Sequence, residues 1–303
     1  MIKENQRAEL CSGAYGIATE GVCLSSLTTF HLGGPCDLLI EVTSEKEALR
    51  TIRYLRSSAI PFMVIGNGSN LLVRDGGIDG VVVKMGPAFS DVTVEGNVVT
   101  AQAGAAVAKV AQISFEAGLT GMEALAGIPG TVGGGVIMNA GAYEHEMKNV
   151  LHSLHAIEKD NTLCTLTRDE MDMGYRTSRM MREGMVVTET IFELQPGDPK
   201  EIRERAAEYA LRRRTKQPLD KYSAGSTFKR PQGHFAGALI EQAGLRGYAI
   251  RGAQVSEKHC GFLINNGEAT ARDVLDLIHY VQETVKKTSG VELEPEVRII
   301  GKE

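Results

Sequence analysis

The chain has 303 residues, of which 43% are hydrophobic and 23% charged, and its formal net charge is -5. This length allows a large core and predicts about two globular domains. The negative balance excludes a general electrostatic affinity for nucleic acid or an anionic membrane, so any anion site must be local. No run is apolar for long enough to span a bilayer, and the first residues lack the apolar core of a signal peptide. We therefore expect a cytoplasmic protein.

Helical spacing and buried-strand patterns predict the first elements. Ser44 and Glu47 form a capping box before apolar residues at helical spacing, which predicts an amphipathic helix over 45–57. A buried strand is expected at 61–65; it runs into the glycine turn GNGSN at 66–70 and then into a strand at 71–73. A glycine turn between two strands differs from the dinucleotide-binding turn, which leads from a strand into a helix.

The middle of the chain is predicted to continue with strands and one helix. A strand is expected at 81–85, and a hairpin at 92–95 and 97–103 turns at Gly96 and Asn97. A helix over 106–117 is closed by Gly118 as its C-terminal cap. Two further strands are expected at 151–158 and 185–194.

The last third begins after PGDP at 196–199, where we place a domain boundary. Asp198 can cap a new helix that has Pro199 at its first position and ends in RRRTKQP. Thr270 and Asp273 begin a later amphipathic helix, and a strand over 297–300 follows it.

Glycine density marks a second candidate loop, LAGIPGTVGGGVIMNAGAY at 125–143. Glycines free the backbone and expose N–H groups, which suits close contact with a diphosphate. The spacing does not match GxGxxG, Pro129 interrupts the run, and no helix start is predicted in the residues that follow. The run is therefore predicted to be an anion-binding loop outside the dinucleotide fold.

Other candidate residues have ordinary structural alternatives. Ser226 could donate a proton near Lys229 and Arg230, or could only cap a turn. Arg176 and Glu296 could hold a substrate carboxylate and relay a proton, or could be surface ion-pair residues. The basic run at 212–216 could bind a diphosphate, or could be a solvated helix end favoured by the helix dipole.

Cysteines and histidines give no sign of a disulfide or metal site. The odd number of cysteines, without CxxC spacing, predicts free thiols with packing roles in a reducing compartment. They are Cys11, Cys23, Cys36, Cys164 and Cys260. The seven histidines show no spacing suited to a metal, so none is predicted.

Six segments together closely resemble the UDP-N-acetylenolpyruvoylglucosamine reductase family of peptidoglycan precursor synthesis. They are TTFHLGGPCDLLI at 28–40, VIGNGSNLLVRDGG at 64–77, GLTGMEALAGIPGTVGGGVIMNAGAYEHEM at 118–147, YRTSR at 175–179, SAGSTFKRP at 223–231 and LEPEVRIIG at 293–301. Their order along nearly the whole chain makes a chance match implausible.

The resemblance implies an α+β fold in which a p-cresol-methylhydroxylase-type FAD domain of two α/β subdomains precedes a smaller α+β substrate domain. Its implied boundaries are an N-terminal segment at 1–27, the flavin domain at 28–196 and the substrate domain at 197–303. FAD would be bound non-covalently by residues of the two glycine loops. These are Gly66, Asn67, Gly68, Ser69, Asn70, Leu71, Gly127, Ile128, Pro129, Gly130, Thr131, Gly133, Gly134, Asn139, Gly141, Ala142 and Tyr143.

The resemblance also implies the reaction. In the family, NADPH reduces FAD, and hydride then passes from flavin N5 to the terminal carbon of the enolpyruvyl group of UDP-N-acetylglucosamine enolpyruvate. Arg176 and Glu296 match the residues that stabilise the resulting enolate, and Ser226 matches the proton donor. Implied substrate contacts are Tyr175, Arg213, Gln217, Ser223, Lys229 and His259. A monomer is expected.

The chain is similar to the compact subtype of the family, because no inserted tyrosine-bearing loop is evident between Arg176 and Ser226, where Tyr209 lies in a predicted helix. Two alternatives remain at this point. One is an alcohol oxidase on the same flavin fold, although neither glycine loop contains a His or Cys to tether FAD. The other is a non-catalytic flavin or nucleotide-binding module.

Overall fold

The computed structural model describes residues 2–303. Helices α1 to α8 run over Glu4–Leu10, Glu45–Ser57, Val107–Glu116, Val132–Ile137, Arg179–Glu183, Pro199–Lys216, Ala236–Gln242 and Ala271–Ser289. Strands β1 to β18 run over Ile17–Glu20, Cys36–Glu41, Phe62–Ile65, Leu71–Val73, Ile78–Lys84, Val92–Glu95, Val98–Gln102, Leu119–Thr120, Gly141–Ala142, His145–Glu146, Leu151–Ile157, Leu163–Thr167, Val186–Glu193, Gln195–Pro196, Ala249–Ile250, Ala253–Val255, Leu263–Asn265 and Arg298–Ile300.

The chain divides into two compact units. The first unit comprises the residues up to 20, 38–67 and 80–212, and the second comprises 21–37, 68–79 and 213–303. The second unit therefore includes two short segments from the first third of the chain. The boundaries at residues 27 and 196 stay predictions about domains, since a compact unit and a domain are defined differently.

The first unit contains two large sheets and two small two-stranded ones. One has the strand order β1-β2-β5-β3, with β3 and β5 parallel, and α2 buries Ala48, Ile52 and Leu55 in the core that includes this sheet. The other is antiparallel in the order β12-β11-β13-β7-β6, and its core takes in α3 and α4. The predicted hairpin of β6 and β7 is confirmed, as are strands β11 and β13.

The predicted helix signals hold in the structure. Ser44 Oγ accepts a hydrogen bond from the Glu47 N–H at the start of α2, whereas the Glu47 carboxylate accepts from the Thr43 N–H, so only the Ser44 half of the predicted capping box is present. Gly118, with φ +71°, follows the end of α3. The Asp198 carboxylate accepts hydrogen bonds from the N–H groups of Lys200 and Glu201 at the start of α6. Ser44 and Asp198 accept hydrogen bonds from N–H groups that have no partner within the helix, and Gly118 adopts the left-handed conformation that ends one. These requirements are local, so the helix boundaries could be predicted from the sequence.

The second unit packs α7 and α8 with a three-stranded antiparallel sheet in the order β15-β16-β17. The capping box predicted at Thr270 and Asp273 is present at the start of α8. The final strand, β18, pairs in parallel with β4, so that Arg298 lies opposite Leu71 and Ile300 opposite Val73. This pairing brings the end of the chain against the strand that follows the first glycine loop.

Two sequence expectations are corrected. The glycine run contains the six-residue helix α4, which was predicted to be loop. The glycines of this helix allow close packing, because a Cβ at Gly133 would lie 2.9 Å from the Ala103 Cβ and one at Gly135 would lie 2.8 Å from the Met147 Cε. All five cysteines are free, as predicted, but Cys11 and Cys23 are exposed, so the packing role is wrong for those two.

Candidate active site

The two glycine loops contact each other within the first unit. A Cβ added to Gly66 would lie 2.1 Å from Thr131 Oγ1, so only glycine allows the loops to come this close. Asn67 Nδ2 donates a hydrogen bond of 3.1 Å to the Pro129 carbonyl oxygen. The structure thus brings together two segments more than sixty residues apart, and Thr131, only 2% exposed, anchors the contact.

The loops are suited to an anionic cofactor by their donor chemistry. Neither 66–71 nor 127–134 contains an acidic or basic side chain. Their polar groups are backbone amides and the side chains of Asn67, Ser69, Asn70 and Thr131. A neutral, donor-rich backbone is typical of sites that hold diphosphates, so the backbone amides and the Asn67, Ser69 and Thr131 side chains fit the diphosphate of FAD. Gly134 has room on this side, since an added Cβ would meet only Thr131 Oγ1, at 3.6 Å.

Asn139 holds the end of the second loop in place. It is fully buried with φ +43°, and its Nδ2 donates to Glu146 Oε2 at 3.1 Å and to the Gly174 carbonyl at 2.9 Å. Its Oδ1 accepts from the Lys148 N–H at 3.1 Å. The side chain therefore joins the β9–β10 hairpin to the turn that carries Tyr175 and Arg176.

Arg176 lies in a strained turn beside that hairpin. Its φ is +55°, in the left-handed region that residues with a Cβ rarely occupy. Gly174 and Thr177 close the turn, with the Gly174 N–H donating to the Thr177 carbonyl at 3.0 Å. The guanidinium carbon lies 4.8 Å from the centroid of the Tyr175 ring, and Nη2 lies 3.5 Å from the Gly141 carbonyl oxygen. Backbone strain at a charged residue is a signal of function.

Aromatic contacts fix the tip of the hairpin. Tyr143 and Glu144 form its two-residue turn with φ +52° and +67°, values that are normally supplied by Asn and Gly. The Tyr143 ring stacks on Tyr209 of α6, with the centroids 4.9 Å apart and an interplanar angle of 29°. This stack joins the tip of the hairpin to α6, and it could not be predicted from the sequence.

Ser226 and Glu296 come together in the second unit. Ser226 is exposed and forms an antiparallel bridge with Phe262, while the next residue, Thr227, is 2% exposed. The Thr227 N–H donates to the Gly261 carbonyl at 2.8 Å, and its own carbonyl accepts from the Glu296 N–H at 2.8 Å. Glu296, which from the sequence alone could be a surface carboxylate, is thus joined by a main-chain hydrogen bond to the residue that follows Ser226. Thr227 was missed, because adjacency to Ser226 is its only signal in the sequence.

Four of the predicted substrate contacts in the second unit already have hydrogen-bond or ion-pair partners within the protein. Arg213 Nε donates to Gln217 Oε1 at 2.8 Å, just past the end of α6. Ser223 is held by its backbone, since its N–H donates to the Thr29 carbonyl and its carbonyl accepts from Thr29 Oγ1. Lys229 forms an ion pair with Glu294.

His259 is oriented by its own loop. The Gly261 N–H donates to His259 Nδ1 at 3.1 Å, so a neutral ring must carry its proton on Nε2. Burial lowers the pKa of His259, and the charges of Arg246 and Lys216 lower it further. The ring is therefore prepared to be a neutral hydrogen-bond donor through Nε2.

Residues 2–303 contain no group of three or more His, Cys, Asp or Glu side chains that could hold a metal ion. Among the same residues, no helix is long and apolar enough to cross a membrane.

Family models match most of the chain. An FAD binding domain matches residues 36–167, and the C-terminal domain of UDP-N-acetylenolpyruvoylglucosamine reductase matches residues 217–300. The fold and the paired glycine loops therefore define an FAD-dependent oxidoreductase with the predicted p-cresol-methylhydroxylase-type flavin domain.

Curated relatives and a solved structure agree. UDP-N-acetylenolpyruvoylglucosamine reductase of Clostridium perfringens (strain SM101) is 48% identical over 274 residues, covering 90% of each chain. The enzyme of the same name from Clostridium botulinum (strain Hall) is 49% identical over 91% of this chain and 90% of its own. The crystal structure of UDP-N-acetylenolpyruvylglucosamine reductase from Thermus caldophilus matches with a TM-score of 0.81 and 36% identity, covering 92% of this chain and 98% of that one. The chain belongs to the UDP-N-acetylenolpyruvoylglucosamine reductase family. This membership disfavours both the alcohol oxidase and the non-catalytic binding module.

Proposed function

We propose that this protein catalyses the NADPH-dependent reduction of UDP-N-acetyl-3-O-(1-carboxyvinyl)-glucosamine to UDP-N-acetylmuramate. Family membership supports the reaction. The single structural observation that supports the assignment is the main-chain hydrogen bond from the Glu296 N–H to the Thr227 carbonyl, because it joins the segment that carries Glu296 to the residue that follows Ser226. A binding module has no need of this pairing.

Bound FAD would accept hydride from NADPH and supply it to the terminal carbon of the enolpyruvyl double bond. The residues proposed to hold the cofactor are those of the two contacting loops, through backbone amides together with Asn67, Ser69 and Thr131. The Gly66–Thr131 contact keeps these groups at a fixed spacing. Fixed donors bind a diphosphate without having to reorganise, and this lowers the entropic cost of binding.

Arg176 is proposed to bind the substrate carboxylate. Addition of hydride to the terminal carbon moves negative charge onto that carboxylate, and a guanidinium offers two parallel N–H donors to it. The contact with the Tyr175 ring restricts the rotation of the guanidinium, and the strained turn fixes the backbone from which it projects. Such preorganised donors stabilise developing charge at little cost in reorganisation.

Ser226 is proposed to donate the proton to the carbon next to the carboxylate, which completes the lactyl ether. An alcohol is a weak acid, so the alkoxide left behind needs a nearby donor or cation. Glu296 is proposed to act in its protonated form, which can donate a hydrogen bond to the developing negative charge and relay a proton. Arg213, Gln217, Ser223, Lys229 and His259 are proposed to hold the nucleotide part, with His259 donating through Nε2.

Two anaerobic half-reactions test the proposal. NADPH should bleach the flavin absorbance of the purified yellow protein, and the enolpyruvyl substrate should restore it. Ser226→Ala should leave the first step nearly unchanged and slow the second by about 10² to 10⁴-fold, because only the second step needs a proton on carbon. Failure of the substrate to restore the absorbance of the wild-type protein would overturn the assignment.

A matched control separates chemistry from folding. Ser57→Ala removes another exposed serine hydroxyl, at the end of α2, and should leave both half-reactions unchanged. Equal slowing of both steps by Ser226→Ala would assign Ser226 a structural role. We also propose that the protein acts as a monomer in the cytoplasm, where NADPH is available; size-exclusion chromatography with light scattering tests the monomer.

A further inference from the structure

Asn70 ends the first glycine loop, and its side chain contacts the segment that carries Glu296. Its Nδ2 donates a hydrogen bond of 3.2 Å to the Glu296 carbonyl oxygen. Its main-chain carbonyl accepts a bond of 2.9 Å from the Arg298 N–H. The parallel β4–β18 ladder begins at the next residue, with Leu71 opposite Arg298. Asn70 therefore contacts this segment on both sides of Val297.

Glu296 is consequently held through both of its backbone polar groups. Its N–H donates to the Thr227 carbonyl at 2.8 Å, and its C=O accepts from Asn70. The first bond connects it to the residue after Ser226, and the second connects it to the loop predicted to hold the flavin. The peptide groups on either side of the Cα are thus both held by hydrogen bonds, which restricts where the carboxylate can lie.

The chemistry at this position requires an amide. A carboxamide of this length offers N–H donors to a carbonyl oxygen, whereas an aspartate would direct a carboxylate oxygen toward it. The backbone of the loop is already used, because the Leu71 N–H donates to the Gly68 carbonyl at 3.3 Å. The Asn70 side chain thus extends the ladder by one bond beyond the reach of the β4 backbone.

We propose that Asn70 is a positioning residue for Glu296. Its hydrogen bond to the Glu296 carbonyl fixes the position of the Glu296 backbone, and hence of the carboxylate, relative to the first glycine loop. The proposal rests on the proposed function, since it assumes that Glu296 acts in the step that reduces the substrate. It differs from the sequence-based expectation that Asn70 serves only to bind FAD. Misplacement of a reacting group by about 1 Å can cost up to about 10²-fold in rate.

The test compares Asn70→Ala and Asn70→Asp with Asn67→Ala as a matched control. Asn67 lies in the same loop and also donates from its amide to a backbone carbonyl, but that carbonyl belongs to Pro129 of the second glycine loop. Flavin content, the rate of flavin reduction by NADPH and the rate of reoxidation by the enolpyruvyl substrate are measured for each variant. Asn70 variants should retain FAD and the first rate, and reoxidise about 10 to 100-fold more slowly. Asn67→Ala should instead weaken FAD retention.

A double-mutant cycle distinguishes positioning from general damage. If Asn70 acts through Glu296, Asn70→Ala combined with Glu296→Gln should reoxidise no more slowly than Glu296→Gln alone. Asn70→Gln, which keeps an amide on a longer side chain, should recover part of the rate. Multiplicative losses in the double variant would overturn the proposal. So would loss of FAD from every Asn70 variant while Asn67→Ala retains it, because Asn70 would then be a flavin ligand.

The outcomes also separate this proposal from the proposed function. If wild-type protein reoxidises with the enolpyruvyl substrate and Asn70→Ala does so at the same rate, the positioning role fails and the proposed function stands. If wild-type protein is reduced by NADPH but the substrate never restores its absorbance, the proposed function fails, and the positioning role fails with it.

Discussion

The two glycine loops and the Ser226–Glu296 region of the second unit are built in opposite ways. Each glycine loop is one contiguous segment whose function depends on side chains that are missing, since a Cβ at Gly66 of the first loop or Gly133 of the second would collide with a neighbour. The Ser226–Glu296 region depends on side chains that are present, and it comes from segments seventy residues apart joined by backbone hydrogen bonds through Thr227. A cofactor site built from backbone groups leaves a recognisable glycine-rich pattern in the sequence. A site assembled from side chains of distant segments leaves only isolated residues.

Replacement of Arg176 is expected to have the largest effect on the reaction rate, and two variants distinguish this effect from a change in stability. Arg176→Ala is expected to slow substrate-driven reoxidation by about 10² to 10³-fold, as for loss of a preorganised charge-stabilising donor. Arg176→Gly should lose as much rate, yet be more stable than Arg176→Ala by about 1 kcal/mol, because glycine relieves the strain at φ +55°. Stopped-flow reoxidation and urea unfolding measure the two quantities. Equal stability of the two variants would contradict strain at this turn.

A methyl group at Gly66 should disturb the contact between the two glycine loops. Its Cβ would lie 2.1 Å from Thr131 Oγ1, so Gly66→Ala should separate the glycine loops, cost about 1 to 3 kcal/mol of stability and release FAD. Gly134→Ala is the matched control for contact between loops, since its Cβ would lie 3.6 Å from the same oxygen. Absorbance of bound flavin after gel filtration gives the measurement. Retention of FAD by Gly134→Ala and its loss from Gly66→Ala would show that loop contact controls binding.

Removing the Tyr209 ring should weaken the hairpin next to Arg176. The stack with Tyr143 is expected to contribute about 0.5 to 1.5 kcal/mol beyond buried area, so Tyr209→Ala should lower the free energy of unfolding by at least that amount. Tyr209→Phe keeps the ring and should remain within about 0.5 kcal/mol of wild type. Urea unfolding of both variants provides the comparison. If the phenylalanine variant is as unstable as the alanine variant, the hydroxyl and not the stack supports the hairpin.

The smallest expected effect is a pH dependence at His259. Its pKa is lowered in the folded protein by burial, so below the ordinary value of 6.5 the unfolded chain binds a proton that the folded protein resists. This contribution to stability is complete above pH 6.5 and is lost as the pH falls toward the lowered pKa. The stability of wild type relative to His259→Gln should therefore decrease as the pH falls below 6.5. His234→Gln, at an exposed histidine, controls for loss of one imidazole; a pH-independent difference for His259→Gln would contradict the lowered pKa.

Local signals were sufficient for much of the fold. The helices α2, α6 and α8 begin at the predicted caps because a capping side chain and its N–H partners lie within three residues of one another. The hairpin of β6 and β7 was likewise predictable from its Gly96 turn. The helix α4 was missed, because glycines are unfavourable in a helix, and only the close approach of Ala103 and Met147 explains them.

By itself, the sequence determined the class of cofactor site, the caps of the main helices and, through its six family segments, the identity of the reductase. Only the tertiary structure decided that Gly66 contacts Thr131, that Tyr143 stacks on Tyr209 and that Thr227 and Asn70 hold Glu296 between them. The physical reason is the separation along the chain between the groups that interact. A cap or a tight turn is decided by neighbours along the chain, whereas a hydrogen bond between Asn70 and Glu296 exists only after parallel pairing of β4 with β18 has brought distant segments together.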